Sequence, residues 1–81
     1  MTAEYLKNKK IIKSVCSKSK LREYIADCNF EHEHDAEILS MIYLQNKDCG
    51  YIADIIGLSY AQTLERHKQA AKRLAALINA L

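Results

Sequence analysis

The chain has 81 residues, no proline, two glycines and a formal charge of +2. Such a composition, rich in Ala, Leu, Ile, Lys and Glu, excludes an all-β fold and favours helix almost throughout, around a modest core, since a chain of this size buries only about 60% of its unfolded surface. The three cysteines fall in no paired spacing and no apolar run reaches the roughly 18 residues of a membrane span, so the expectation is a cytoplasmic protein with reduced thiols, without a signal peptide or membrane segment.

In chain order, residues 2–16 carry Tyr5, Leu6, Ile11, Ile12 and Val15 at helical spacings between lysines, which predicts an amphipathic helix. Ser17 to Ser19 is a weak break. Leu21, Tyr24, Ile25 and Cys28 then share a stripe, either on a second helix or on the bent continuation of the first. Residues 29–35 are polar and acidic, with Asp35 the expected N-cap of a helix over 36–45 whose inward stripe is Ile38, Leu39, Ile42 and Tyr43. A polar turn with glycine near its end (46–50) leads to a short helix at 51–56, a tight turn at 57–59 and a long helix from Tyr60 to about Asn79. The fold expected is all-α, four or five helices. Residues 1–34 form a basic helical segment and 35–81 a helix-turn-helix segment of one compact domain.

Charge is distributed unevenly along these elements. Residues 1–30 hold seven basic against three acidic residues, 31–59 one against six, and 60–81 four against one. The pattern is basic, acidic, basic, and two basic segments are what a nucleic-acid binder needs on one face.

The second half carries the motif. Ala53, four residues before Gly57, provides a small residue where two helices cross across a short turn. Gly57 can end the first helix with positive φ at no steric cost, and the Ser59 hydroxyl can cap the helix that follows. Ile52, Ile55, Ile56 and Leu58 supply apolar contacts beneath the turn. In such units the second helix enters the major groove of DNA while the first braces across the backbone.

The stretch from Asp35 to Leu77, with Ile38-Leu39, Tyr43, Ile52-Ala53, Gly57-Leu58-Ser59, Arg66, Ala70 and Arg73-Leu74 in unbroken spacing, resembles region 4 of bacterial sigma factors and the stand-alone regulators of phages and mobile elements that share it. The resemblance covers about half the chain. It implies a sequence-specific duplex-DNA-binding transcriptional regulator, with RNA polymerase or a sigma factor as a further partner. Other sigma regions have no room in 81 residues, so the implied protein is a regulator and not a complete sigma factor. One position departs from the family. Where the pattern has Val or Ile four residues after the serine, this chain has Thr63 followed by Leu64. Burying Leu64 instead of Thr63 would match the "TVKxH" of LuxR-type regulators, at the cost of one extra residue in the turn. The two choices differ by about 100° in the face the helix presents.

On this reading the DNA-contacting set is Ser59, Tyr60, Gln62, Glu65, Arg66, Lys68, Gln69, Lys72 and Arg73. Gln62 suits adenine, Arg66 guanine or a phosphate and Glu65 a cytosine amino group. Tyr60 suits a phosphate and sugar, and the later basic residues suit phosphates or a solvated face. Ser59 is first of all a cap. His67 fits a packing position better than a phosphate contact. Lys7, Lys9, Lys10, Lys13, Lys18, Lys20 and Arg22 can follow a DNA backbone or form a solvated face. The run Tyr60, Leu64, His67, Ala71, Leu74, Ile78, Leu81 is long enough either to fold back on the N-terminal helices or to pair with a second copy in a homodimer.

Cys28, His32, His34 and Cys49 lack the paired spacing of zinc ligands. No metal or other cofactor is expected. No nucleophile–base pair, glycine-rich phosphate loop or carboxylate dyad points to an enzyme. The alternative function is a protein-interaction module for RNA polymerase, a sigma or an anti-sigma partner, or a phage packaging or replication accessory protein.

Overall fold

The computed structural model describes residues 3–81 as five α-helices: α1 (Ala3–Lys13), α2 (Lys18–Asp27), α3 (Asp35–Tyr43), α4 (Cys49–Ile56) and α5 (Tyr60–Asn79). The weak break at 17–19 is a true helix boundary, because the Ser17 hydroxyl accepts the Lys20 N–H and caps α2.

The long helix α5 is the scaffold, and each other helix packs against it. Ile12, Leu21, Ile25 and Leu39, from α1, α2 and α3, close over Ala70, Ala71 and Leu74 of α5 as one buried cluster. The alanines let neighbouring helices approach closely, so the cluster is thin but fully buried at Ile12, Leu39, Ala70, Ala71 and Leu74. A smaller cluster of Ile38, Met41 and Ile52, flanked by Ile42 and Ile56, joins α3 to α4. The apolar stripe of α5 folds back on the N-terminal helices, burying His67, Ala71 and Leu74 and leaving Tyr60 and Leu81 exposed.

Three local expectations are corrected. Asp35 does not cap α3. It is the first residue of the helix and fully buried, and His34 stands at the cap with no side-chain bond. The turn before α4 takes its left-handed residue from Asn46 (φ 58°). Gly50 lies inside α4, which begins two residues earlier than expected because Asp48 caps it, its carboxylate accepting the Tyr51 N–H at 2.8 Å. Ile55 does not pack beneath the following turn: it is 52% exposed, whereas Ile52 is buried.

The turn between α4 and α5 is built as its residues suggest. Gly57 has φ 78° and ψ 24°, and the buried Ala53 carbonyl accepts both the Gly57 and Leu58 N–H groups, a Schellman-type ending. Ser59 opens α5 with a reciprocal capping box. Its hydroxyl accepts the Gln62 N–H at 3.1 Å, and the Gln62 side-chain oxygen accepts the Ser59 N–H at 3.0 Å. A methyl group at Gly57 would meet no atom within 4 Å, so its only cost is the left-handed backbone. Gly57→Ala is therefore expected to destabilise by about 1–2 kcal/mol, with Gly57→Asn milder. Urea or thermal unfolding measures this, and an unchanged midpoint in Gly57→Ala would contradict it.

Candidate nucleic-acid interface

Three polar side chains near the start of α5 turn inward, and two of them, Arg66 and His67, fix its rotation by bonding to other helices. Thr63 is fully buried and its hydroxyl donates to the Ser59 carbonyl at 2.9 Å, whereas Leu64 is half-buried. Of the two residues the sequence left open, Thr63 is therefore the buried one. A threonine is tolerated there because its one donor is satisfied within the helix and its methyl group remains for packing.

One turn on, Arg66 points away from the outer face. Its Nε and Nη2 donate to the two oxygens of Asp35 at 3.0 and 2.9 Å, a bidentate pair. The Asp35 side chain is completely buried and that of Arg66 is 21% exposed. The same carboxylate also accepts the His32 N–H, which ties the loop before α3 into the pair. Arg73 is held similarly, bonded to the Glu31 carboxylate and donating to the Asn29 carbonyl at 3.3 Å. The Arg73 guanidinium holds the Glu31 carboxyl below its ordinary pKa.

His67 is the third. It is 2% exposed, with the Tyr5 hydroxyl 2.8 Å from Nδ1 and the Tyr43 hydroxyl 2.9 Å from Nε2. A neutral imidazole has one N–H and one lone pair, so one tyrosine donates to the ring and the other accepts from it. Burial, reinforced by the nearby Lys9 charge, lowers the His67 pKa from 6.5 to about 4. The ring thus links α1, α3 and α5 as a neutral hydrogen-bonded post.

These placements divide the nine sequence-selected residues. Ser59 and Gln62 are committed to capping, and Arg66 and Arg73 to acidic partners. Tyr60, Glu65, Gln69 and Lys72 are exposed and Lys68 is half-buried. Gln69 donates to Glu65 at 3.2 Å along the helix. Lys68 lies 5.8 Å from the centre of the Tyr5 ring. Lys72 stands 3.9 Å from Glu4 with both side chains about two-thirds exposed, a loose pair easily exchanged for another anion. Ala61, also exposed, Glu65, Gln69 and Lys72 run along the outer side of α5 over its first four turns, whereas Tyr60, exposed at the helix start, lies on the side of Leu64 and His67.

Sequence reasoning passed over a cleft of about 440 Å³ beside this face, bounded by α1, the α3–α4 loop and the first turns of α5. Lys9, Lys13, Lys47 and Tyr60 line it, with Tyr43 and His67. The lysines of α1 were visible as a basic set, but nothing in their spacing says that Lys47 joins them. Among the described residues no group of three or more His, Cys, Asp or Glu side chains is placed to hold a metal ion. No described helix is long and apolar enough to cross a membrane. No family model matches the chain, and neither a curated protein nor a solved structure matches it.

The inward polar groups make two expectations measurable. Arg66→Ala strands a buried carboxylate and is expected to cost about 3 kcal/mol. Arg66→Lys restores the charge but not the fork, so it recovers only part. Denaturant unfolding of the two variants beside wild type measures the difference, and equal midpoints would contradict the pair's role. For His67, the unfolded ring takes up a proton near pH 6.5 and the folded ring only near pH 4. Its contribution is complete above pH 6.5 and falls by about 1.4 kcal/mol per pH unit as the pH drops through that window. Stability measured from pH 7.5 to 4.5 should decline in wild type and decline less steeply in His67→Gln.

Proposed function

We propose that the protein binds duplex DNA through α5 and acts as a small transcriptional regulator in the cytoplasm, of the kind implied by its resemblance to sigma region 4. The observation that carries this reading is the way the Gly57 turn, the Ser59 cap and the buried Thr63 together present the first turns of α5. Ala61, Glu65 and Gln69 stand exposed on its outer side, and Tyr60 is exposed at its first turn. In the major groove, Glu65 and Gln69 offer an acceptor and an amide to base edges, and Tyr60 offers its hydroxyl to a phosphate. Lys68 and Lys72 supply the flanking phosphate contacts. Arg66 and Arg73 act as scaffold, holding α5 at the rotation that exposes this face.

A protein-interaction module for RNA polymerase, a sigma or an anti-sigma partner is the second reading. It is favoured by Tyr51 and Ile55, one turn apart on α4 and 49% and 52% exposed, and by the engagement of both α5 arginines within the chain.

Fluorescence anisotropy with a random-sequence duplex at several salt concentrations separates the two. The expected result is salt-sensitive binding that Lys68→Ala/Lys72→Ala weakens. The double change should also lower the salt slope by about 2, roughly one for each phosphate that a lysine neutralises. Absence of binding at low salt would overturn the DNA reading in favour of the protein partner.

A further inference from the structure

We propose that the cleft between α1, the α3–α4 loop and the start of α5 binds a small organic phosphate: a phosphate monoester on a flat ring, of mononucleotide size. This inference rests on the cleft's own lining and not on the DNA reading.

Its volume of about 440 Å³ falls within the roughly 300–1,000 Å³ of small-molecule sites. Three lysines, Lys9, Lys13 and Lys47, line it against one carboxylate, Asp48, which leaves a surplus of two positive charges. The Asp48 carboxylate is already occupied as the α4 cap. Among the described residues, Lys20, Arg66, Lys72 and Arg73 each lie beside a carboxylate, whereas none of these three lysines forms an ion pair. Like charges gathered at a concavity repel one another unless an anion enters. The surplus matches the charge of about −1.5 to −2 on a phosphate monoester near neutral pH.

The positions of the ammonium groups give the cleft a direction. Lys9 Nζ lies 5.3 Å from the centre of the Tyr5 ring, and its charge reaches both His67 and the Cys49 thiol, so it sits low in the cleft. Lys47 Nζ, 5.0 Å from the Tyr51 ring, belongs to the rim. The floor is the Tyr5–His67–Tyr43 set, locked by two hydrogen bonds before any ligand arrives, so little ordering is left to binding. The remaining lining is suited to a ring. Tyr60 is 59% exposed, and Leu64 and Ile42 continue an apolar wall beside it. Aromatic and aliphatic side chains of this kind take a flat base by stacking. Inorganic phosphate would leave that wall unused, and an uncharged ring would leave the lysines without a counter-charge. An occupied cleft would tie α1 and the α3–α4 loop to the first turn of α5.

The test is calorimetric titration of the full chain, without DNA, by adenosine 5′-monophosphate, adenosine and inorganic phosphate in parallel. The expected result is saturable one-to-one binding of the monophosphate, with adenosine and phosphate each weaker by about tenfold or more. Lys9→Ala/Lys13→Ala/Lys47→Ala should lose about tenfold or more, while Lys20→Ala/Arg22→Ala, a charge removal of similar kind on α2, should change little. The monophosphate should also slow alkylation of Cys49, which lines the cleft, without slowing that of the exposed Cys16. No saturation into the millimolar range, equal binding by adenosine or by phosphate, or an unaffected triple variant would each overturn the proposal.

Discussion

The bidentate pair between Asp35 and Arg66 sets the frame for the rest of the molecule. A carboxylate with no solvent exposure is stable only if its charge and lone pairs are met, and here they are met by a guanidinium fork and a backbone N–H. Meeting them pins the first turn of α3 against the second turn of α5 and sets the rotation of α5. Thr63 and His67, at −3 and +1 from Arg66, are then both carried inward. Ala61, Glu65 and Gln69 are carried outward by the same rotation. The face available to a partner is thus a consequence of an internal ion pair.

The core around that pair is unusual in its distribution of polarity. Aspartate, threonine and histidine are buried at 0–2% exposure, while Leu6, Tyr51, Ile55 and Tyr60 stand half-exposed. Every buried polar side-chain atom among the described residues has a hydrogen-bond partner, so the inward polar groups add directionality without leaving desolvated charge unmet. In a chain with so little interior, the bonds of Arg66 to Asp35 and of His67 to Tyr5 and Tyr43 fix the register of α5 more sharply than alanine packing alone. The outward apolar groups have no such internal explanation, and those on α4 and at the start of α5 flank the candidate interface.

Electrostatics gives the same division of labour. Two carboxylates of the acidic middle are taken up within the fold: Asp35 and Glu31 neutralise the arginines of α5. Among the described residues, the lysines of α1 that face the cleft and Lys47 from the α3–α4 loop keep their charge without a carboxylate partner. This cationic concavity therefore arises from two segments distant in sequence, beside the helix that carried the motif.

The sequence by itself determined the helical class, the order of the helices from α3 to α5 and the turn at 57–59, because these depend on local chemistry, whereas it left open whether residues 2–28 form one helix or two. A glycine that can take positive φ, a serine that can cap, and apolar spacings of three and four act within a few residues of themselves. It also left α5 with the right bounds, Tyr60 to Asn79, since both its start and its length are written locally. The burial of Asp35 as an ion-pair partner, the choice between Thr63 and Leu64 and the engagement of Arg66 and Arg73 were beyond it. Each depends on which side chain lies opposite, 31 residues away for Arg66 and 42 for Arg73. The same holds for the histidine, whose partners come from α1 and α3, and for the cleft above it. Only the tertiary structure decided these, because the cost of burying a charge or a hydrogen-bonding group is set by partners that chain spacing does not reveal.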